Sequence, residues 1–86
     1  MQIKEENKVF MKYLGKRLHI FRASRNLSRE AAAQHIGVSA RTLAAYERGE
    51  REITIDKIIG LAELYNTVTT KLVDSNKIIE ETGLEM

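Results

Sequence analysis

Apolar residues recur every three or four positions along most of this chain, which is the spacing that places side chains on one face of an α-helix. Within a proline-free stretch from about residue 7 to 25, the apolar positions with this spacing are Phe10, Leu14, Leu18 and Phe21. We predict a long first helix there, ended by Asn26 in a left-handed conformation. Because no alternating apolar and polar run is bounded by hairpin turns, the pattern predicts an all-α fold.

Two short helices separated by a glycine turn are predicted in the middle of the chain. Ser28 can cap the first of them, and the alanine run behind it has high helix propensity. Gly37 supplies the positive φ that ends a helix at little cost, and Ser39 can cap the next helix, which runs to about Glu47. Residues 28–47 therefore predict a helix-turn-helix, a unit that can carry a helix into a DNA groove.

Two further helices are predicted after this unit. Thr54 can cap a fourth helix. Its core stripe is assigned to Ile55, Ile58, Ile59, Ala62 and Tyr65. Asn66 can end it, and a fifth helix is expected from about Thr69 through Leu72 to near Glu81. Gly60 within the fourth helix should cost about 1 kcal/mol relative to alanine, and either close packing or a weak solvent-facing position would explain it.

Several sequence fragments between residues 14 and 73 occur in an ordered series. They are Leu14-Gly15-Lys16-Arg17-Leu18, Arg22, Leu27-Ser28, Ala33, Ile36-Gly37-Val38-Ser39, Thr42-Leu43, Tyr46-Glu47-Arg48-Gly49, Leu61-Ala62 and Leu72. At these positions the chain resembles the lambda Cro/CI-like helix-turn-helix regulators, also called the XRE family. The resemblance implies a five-helix lambda-repressor-like DNA-binding domain with a long first helix and an extended C-terminal helix. The chain departs from the family at Ala32, where leucine is usual, and at Ile53, where proline is common.

The resemblance implies that the third helix reads DNA bases in the major groove. The positions that would face the bases are Ala40, Arg41, Ala44 and Ala45. Among these, Arg41 alone can donate hydrogen bonds, and its guanidinium group matches the O6 and N7 acceptors of guanine. We expect a bidentate contact that contributes about 1–3 kcal/mol of base discrimination. The three alanines could contact thymine methyl groups but cannot make polar contacts with bases. The alternative is that Arg41 binds a phosphate instead.

Five residues around the second and third helices are candidate phosphate ligands. They are Arg29, Ser39, Thr42, Arg48 and Arg51. Arg29 stands where family members usually have a glutamine. Its positive charge near a helix N-terminus is unfavourable by roughly a few tenths of a kcal/mol because of the helix macrodipole, and a bound phosphate would offset this cost. As a set, these residues predict DNA binding that weakens steeply with salt.

Arg22 and Glu47 occupy family positions where an arginine of the first helix meets a glutamate that ends the third. The resemblance therefore implies a partly buried, structural ion pair. In the alternative interpretation, Arg22 also touches a phosphate.

Charge is distributed unevenly along the 86 residues, although the net charge is +2. Residues 1–26 carry seven basic groups against two acidic ones, and residues 53–86 carry three against six. This polarity suits a protein that turns its N-terminal side toward phosphates, but solvated helix faces would also produce it. The length and the 43% hydrophobic content predict one domain, residues 1–86, with a family-like core at 14–73.

The residue inventory excludes several classes of protein. The chain has no cysteine and no apolar run near the roughly 20 residues of a membrane span, and residues 1–8 lack the apolar region that a signal peptide needs. His19 and His35 lack a metal-site arrangement and are expected at the surface, with a phosphate contact as an alternative for His35. Without a nucleophile elbow or a phosphate-binding glycine loop, we expect no enzyme activity, metal or cofactor, and a cytoplasmic protein associated with the nucleoid when bound to DNA.

The C-terminal part of the chain holds more apolar residues than a core of this size needs. They are Val68, Leu72, Val73, Ile78, Ile79, Leu84 and Met86. Together with Val9 and Phe10 they could form a homodimer seam, with residues 74–86 as a dimerisation extension, or they could cover the protein's own core. A dimer would place two reading helices about 34 Å apart on a pseudo-palindromic operator.

These observations lead to two alternative functions. The first is sequence-specific binding of double-stranded DNA by a transcriptional regulator, most simply a repressor that occludes a promoter. The second is an antitoxin-like or other protein-interaction module that keeps this fold but acts by binding a protein partner. The apolar tail and the three alanines on the reading face support the second function.

Overall fold

The computed structural model describes the backbone of residues 5–73 and the side chains from residue 7 onward. The chain forms five helices, which are α1 (Glu5–Ser24), α2 (Arg29–His35), α3 (Ala40–Glu47), α4 (Ile55–Leu64) and α5 (Thr69–Leu72). Residues 5–73 contain no strand, so the prediction of an all-α, five-helix fold is confirmed. The α5 helix ends at Leu72 instead of continuing toward Glu81, and the predicted extension at residues 74–86 lies outside the described residues.

Serine side chains begin the two central helices, as the sequence predicts. The Ser28 hydroxyl accepts a hydrogen bond from the Ala31 amide at 3.1 Å, and the Ser39 hydroxyl accepts one from the Thr42 amide at 3.0 Å. Each bond satisfies one of the free amides at a helix N-terminus. Thr54 occupies the corresponding position before α4, but its hydroxyl makes no capping hydrogen bond.

Left-handed residues end the first and fourth helices and form the central turn. Asn26 and Asn66 have φ values of 56° and 54°, and Gly37 has a φ of 73°. Asparagine tolerates this conformation because its short polar side chain bonds locally, and glycine adopts it without a Cβ clash. These residues set the direction in which each following helix leaves.

The core lies where all five helices meet. Its buried apolar residues are Leu14, Leu18, Ala32, Ala33, Leu43, Tyr46, Ile58, Leu61, Ala62, Tyr65 and Leu72. Leu72 is fully buried within this core, so its side chain is not available to the dimer seam considered from the sequence. Tyr65 is the largest fully buried side chain of this core, and its hydroxyl has no hydrogen-bond partner among the described residues.

The predicted core stripe of α4 was wrong at two positions. Ile55 is 63% exposed and Ile59 is 44% exposed, whereas Leu61, which was left out of the stripe, is fully buried. The α4 helix packs against α2 and α5, and the residues that it buries are Ile58, Leu61 and Ala62. An apolar residue at helical spacing is therefore not sufficient evidence of burial.

Two glycines allow close approach between helices. A Cβ atom added to Gly15 would lie 2.5 Å from the carbonyl oxygens of both Tyr46 and Glu47, so α1 contacts the backbone at the end of α3. A Cβ atom added to Gly60 would lie 3.0 Å from the Cγ2 atom of Ile36, so the unfavourable glycine in α4 is explained by close packing. Both contacts hold α3 and α2 against the rest of the domain.

Two arginines, Arg17 within α1 and Arg25 just after it, bind the carboxyl ends of the last two helices. The Arg17 guanidinium donates hydrogen bonds to the carbonyl oxygens of Lys71 and Leu72, and Arg25 Nε donates to the Tyr65 carbonyl at 2.8 Å. Phe21 lies between them, with its ring centroid 5.8 Å from each guanidinium carbon. Positive charge at a helix C-terminus complements its macrodipole. Part of the basic excess of the N-terminal region therefore binds protein carbonyls and does not face phosphates.

Candidate nucleic-acid interface

The α3 helix is amphipathic, and its polar side faces solvent. Leu43, Tyr46 and Glu47 point inward and are buried. The candidate base-reading residues Ala40, Ala44 and Ala45 are half-buried, and Arg41 is exposed. The positions 40, 41, 44 and 45 share one side of the helix because they are separated by about one turn. Arg41 makes no hydrogen bond or ion pair with any other residue between 5 and 73, so its guanidinium group has all its donors free for a ligand.

The N-terminus of α3 presents two neighbouring hydroxyl groups. The Ser39 hydroxyl, while accepting from the Thr42 amide, lies 3.0 Å from Thr42 Oγ1 and donates to it. Ser39 is exposed and Thr42 is half-buried. Both candidate phosphate ligands therefore first stabilise the helix end. Thr42 keeps its hydroxyl proton for a phosphate oxygen, whereas Ser39 would have to turn its proton away from Thr42 Oγ1 to bind one.

A buried ion pair joins α1 to the last turn of α3. Arg22 Nε donates to Glu47 Oε2 at 2.7 Å, and Arg22 Nη2 donates to Glu47 Oε1 at 3.2 Å. Arg22 Nη1 also donates to the carbonyl oxygen of Leu27 at 2.7 Å. The two charged residues are 8% and 7% exposed, which leaves Arg22 little surface for a phosphate. This bidentate geometry is the strong form of a charge-assisted hydrogen bond.

Two further cationic or polar groups converge on the same carboxylate. Arg29 Nε donates to Glu47 Oε1 at 3.0 Å, and the Arg29 side chain is 46% exposed. His19 Nδ1 lies 3.4 Å from Glu47 Oε1 and 3.1 Å from Arg22 Nη2. The sequence did not reveal these two contacts. The one signal was that His19 lies three positions before Arg22, on the same side of α1.

The pKa of Glu47 reflects these contacts. Burial by itself would raise the pKa, but the hydrogen bond and charge of Arg22, with smaller contributions from Arg29 and His19, outweigh burial and lower the pKa below its usual value. The hydrogen bond with Glu47 likewise raises the pKa of Arg22 against the opposing effect of burial. Both side chains remain charged at neutral pH, and α3 is held to α1 by a fully ionised pair.

The segment that follows α3 forms an open groove beside this helix. The residues lining the groove are Arg41, Ala45, Arg48, Glu50, Arg51, Glu52 and Thr54. Arg48 Nε donates to Glu50 Oε1 at 2.9 Å, and both side chains are more than half exposed. Arg51 is exposed and makes no hydrogen bond or ion pair with any other described residue. The groove thus brings three arginines and two glutamates next to the candidate base-reading side of α3.

The described part of the chain holds neither a metal-binding cluster nor a membrane-spanning helix. Within residues 5–73, no group of three or more histidine, aspartate or glutamate side chains is arranged to hold a metal ion. No helix in this range is both long and apolar enough to cross a membrane.

Two capped helices joined at Gly37, with the second exposed on one side and tied to α1 on the other, define a helix-turn-helix protein. The family model HTH_3, described as helix-turn-helix, matches residues 18–72, and the chain belongs to this family. The resemblance to the Cro/CI-like regulators is confirmed. No curated protein matches the chain.

Solved structures of regulators have the same fold. The restriction-modification controller protein C.AhdI from Aeromonas hydrophila is 27% identical with a TM-score of 0.68, over 72% of this chain and 94% of that one. The BldD DNA-binding domain from S. venezulae is 27% identical with a TM-score of 0.65, over 74% and 96%. An HTH_3 family transcriptional regulator from Vibrio cholerae is 30% identical with a TM-score of 0.71, over 84% of this chain and 40% of that one.

Proposed function

We propose that this protein is a transcriptional regulator that binds specific double-stranded DNA by inserting α3 into the major groove. The observation that carries the proposal is the exposed side of α3, where an unpaired Arg41 projects between small alanines. A helix with small side chains can approach the floor of the groove closely, because nothing bulky separates its backbone from the base edges. The similar structures named above, a DNA-binding domain among them, support DNA as the partner.

Arg41 is the proposed base-reading residue. Its free guanidinium group would donate two parallel hydrogen bonds to O6 and N7 of one guanine. Ala40, Ala44 and Ala45 would contact thymine methyl groups and exclude water around that guanine. Because one arginine supplies nearly all the polar readout, we expect an operator with one strongly preferred G·C pair in each half-site.

Phosphate contacts would come from both ends of the reading helix. Ser39 and Thr42 would bind at its N-terminus, and Arg48 and Arg51 at its C-terminal side. Arg29 would contribute through its terminal Nη groups, since its Nε is already directed at Glu47. The ion pair with Glu47 would hold the guanidinium group of Arg29 in a fixed orientation toward the DNA backbone.

The simplest way for such a domain to act is as a repressor that occludes a promoter. Two copies on a pseudo-palindromic operator would place their reading helices about 34 Å apart.

The second candidate function is that of a module that acts by binding another protein. It is favoured by the exposed Ile55 and Ile59, which lie one turn apart on α4. DNA recognition is preferred because Arg41 and Arg51, which have no partner among the described residues, lie on or beside α3.

Selection of bound sites from a random duplex library tests the proposal. We expect recovered sites with a symmetric pair of guanine-containing half-sites, and an equilibrium dissociation constant that rises steeply with salt. The same selection with Arg41→Ala tests the base-reading residue. Lys71→Ala is its control, because this variant also loses one positive charge, but from an exposed position on α5. A wild-type protein that enriches no sequence and binds no duplex at low salt would overturn the proposal and favour the protein-binding alternative.

A further inference from the structure

Three methyl groups surround the single guanidinium group on the side of α3 that would face the bases. Ala40, Ala44 and Ala45 are half-buried, so part of each side chain remains at the surface beside the exposed Arg41. We call these three residues the alanine surface. An alanine side chain has no donor or acceptor, so the alanine surface can distinguish base pairs through apolar contact alone.

The major-groove edges of the base pairs limit what such a surface can recognise. Thymine presents a methyl group there, and 5-methylcytosine presents the same methyl group at the same position of the pyrimidine ring. The two bases differ at the neighbouring ring carbon, where thymine has an acceptor oxygen and cytosine has a donor amino group. A protein needs a polar side chain at that point to tell the two bases apart, and the alanine surface supplies none.

The polar side chains around the alanine surface are engaged elsewhere or lie at the ends of the helix. Under the proposed function, the donors of Arg41 are occupied by one guanine. The hydroxyl groups of Ser39 and Thr42 lie 3.0 Å apart at the N-terminus of α3, where a phosphate would bind. Arg48 is the C-cap residue, and its Nε donates to Glu50 Oε1. Since a reading helix contacts bases mainly with its N-terminal residues, base pairs that flank the guanine would be recognised through methyl groups.

We propose that the alanine surface recognises the methyl group of a pyrimidine whichever base carries it, so that duplex DNA containing 5-methylcytosine is a ligand of this protein. The inference rests on the proposed function and extends it to a class of modified DNA. A methyl group that moves from water onto an apolar surface contributes up to about fourfold to an equilibrium constant. Methylation of a cytosine that flanks the guanine would therefore strengthen a site that binds weakly without it.

Four versions of one selected operator test the inference. A T·A pair that flanks the guanine in one half-site is kept, or is replaced by uracil·A, C·G or 5-methylcytosine·G. Comparison within each type of pair isolates the methyl group from the sequence-dependent shape and stiffness of the duplex. We expect the methyl group to tighten binding about two- to fourfold in both types of pair. The same four versions of a pair outside the contacted site should have equal dissociation constants.

Replacement of single alanines by glycine locates the contact. Each of Ala40→Gly, Ala44→Gly and Ala45→Gly removes one methyl group from the protein, and at least one of them should reduce the preference for the methylated duplexes. Ala23→Gly makes the same substitution at an exposed position on α1 and should keep the full preference. Because each preference is a ratio of two constants measured with one protein, a general loss of affinity cancels.

Several results would overturn the inference while leaving DNA binding intact. They are equal binding of the T·A and uracil·A duplexes, binding of the 5-methylcytosine duplex no tighter than that of its C·G counterpart, an undiminished preference in all three variants of the alanine surface, and selected sites with no thymine in the pairs that flank the guanine. A wild-type protein that binds no duplex would instead overturn the proposed function, and the inference with it.

Discussion

Arg22 Nε and Glu47 Oε2 lie 2.7 Å apart, and this contact joins the last turn of the first helix to the last residue of the helix that we propose reads DNA. The same carboxylate also accepts from Arg29, the first residue of α2. One buried acid therefore fixes the relative positions of α1, α2 and α3. The orientation of the reading helix depends on an ion pair as well as on the apolar core.

Removal of either partner of this pair should destabilise the protein strongly. We expect Arg22→Met and Glu47→Leu each to lower the free energy of unfolding by about 3–5 kcal/mol, because each leaves a buried charge without its main partner. The loss should be larger for Glu47→Leu, since Glu47 in the Arg22 variant keeps Arg29 as a partner.

Urea unfolding of the two single variants and the double variant measures the coupling. The double variant should be less destabilised than the sum of the single effects by about 1–3 kcal/mol. Additive losses would show that the two charges stabilise the fold independently.

The lowered pKa of Glu47 makes stability depend on acid pH. The pKa of Glu47 in the folded protein lies below the usual 4.5. The stabilisation that ionised Glu47 gives to the fold is therefore complete above pH 4.5 and is lost as the pH falls through the pKa of the folded state. Urea unfolding between pH 7 and pH 3 should show this decrease. In Glu47→Gln, which has no carboxyl group to protonate, the decrease over the same range should be smaller, and an identical pH profile would argue against the assignment.

Gly15 should not tolerate a side chain. Alanine there would place Cβ 2.5 Å from two backbone carbonyl oxygens at the end of α3, and neither can move without shifting that helix. We expect Gly15→Ala to lower the free energy of unfolding by at least about 2 kcal/mol, although alanine is the better helix former. Lys16→Ala, at the exposed neighbouring position, should change it by less than about 0.5 kcal/mol in the same thermal or urea unfolding experiment.

Arg17 should control the docking of α5. Arg17→Met removes the donor for the carbonyl oxygens of Lys71 and Leu72. The free energy needed to open α5 locally should therefore fall by about 1 kcal/mol. Amide hydrogen exchange at Leu72 and Val73 should become faster by about fivefold, while exchange within α3 stays unchanged. Arg17→Lys keeps the charge without the paired donors, so its exchange rates at Leu72 and Val73 should lie between those of the wild-type protein and Arg17→Met. Uniform acceleration in every helix would indicate global destabilisation instead.

Local signals in the sequence predicted the starts of α2 and α3 and the ends of α1 and α4 well, but not the end of α5. Ser28 and Ser39 cap α2 and α3, and Asn26 and Asn66 adopt left-handed conformations, because capping and backbone strain depend on the residue and its immediate neighbours. Exposure of Ile55 was not predictable, since burial depends on which neighbouring helix is present.

The contacts of the charged side chains were the least predictable part of the site. The resemblance singled out Arg22 and Glu47, whose atoms are in contact. It gave no indication that Arg29 would reach the same carboxylate or that Arg25 would bind the end of α4. Long side chains can reach partners 18 or 40 positions away, and sequence spacing carries no information about such contacts.

Methylation interference on a selected operator tests the central claim most directly. Methylation of guanine N7 modifies the major groove, and methylation of adenine N3 modifies the minor groove. If α3 reads the major groove, N7 methylation of one guanine per half-site should block binding of the wild-type protein, and Arg41→Ala should lose sensitivity at that guanine alone. Interference confined to adenine N3, or an Arg41→Ala variant that keeps the full guanine pattern, would contradict the proposed role of α3.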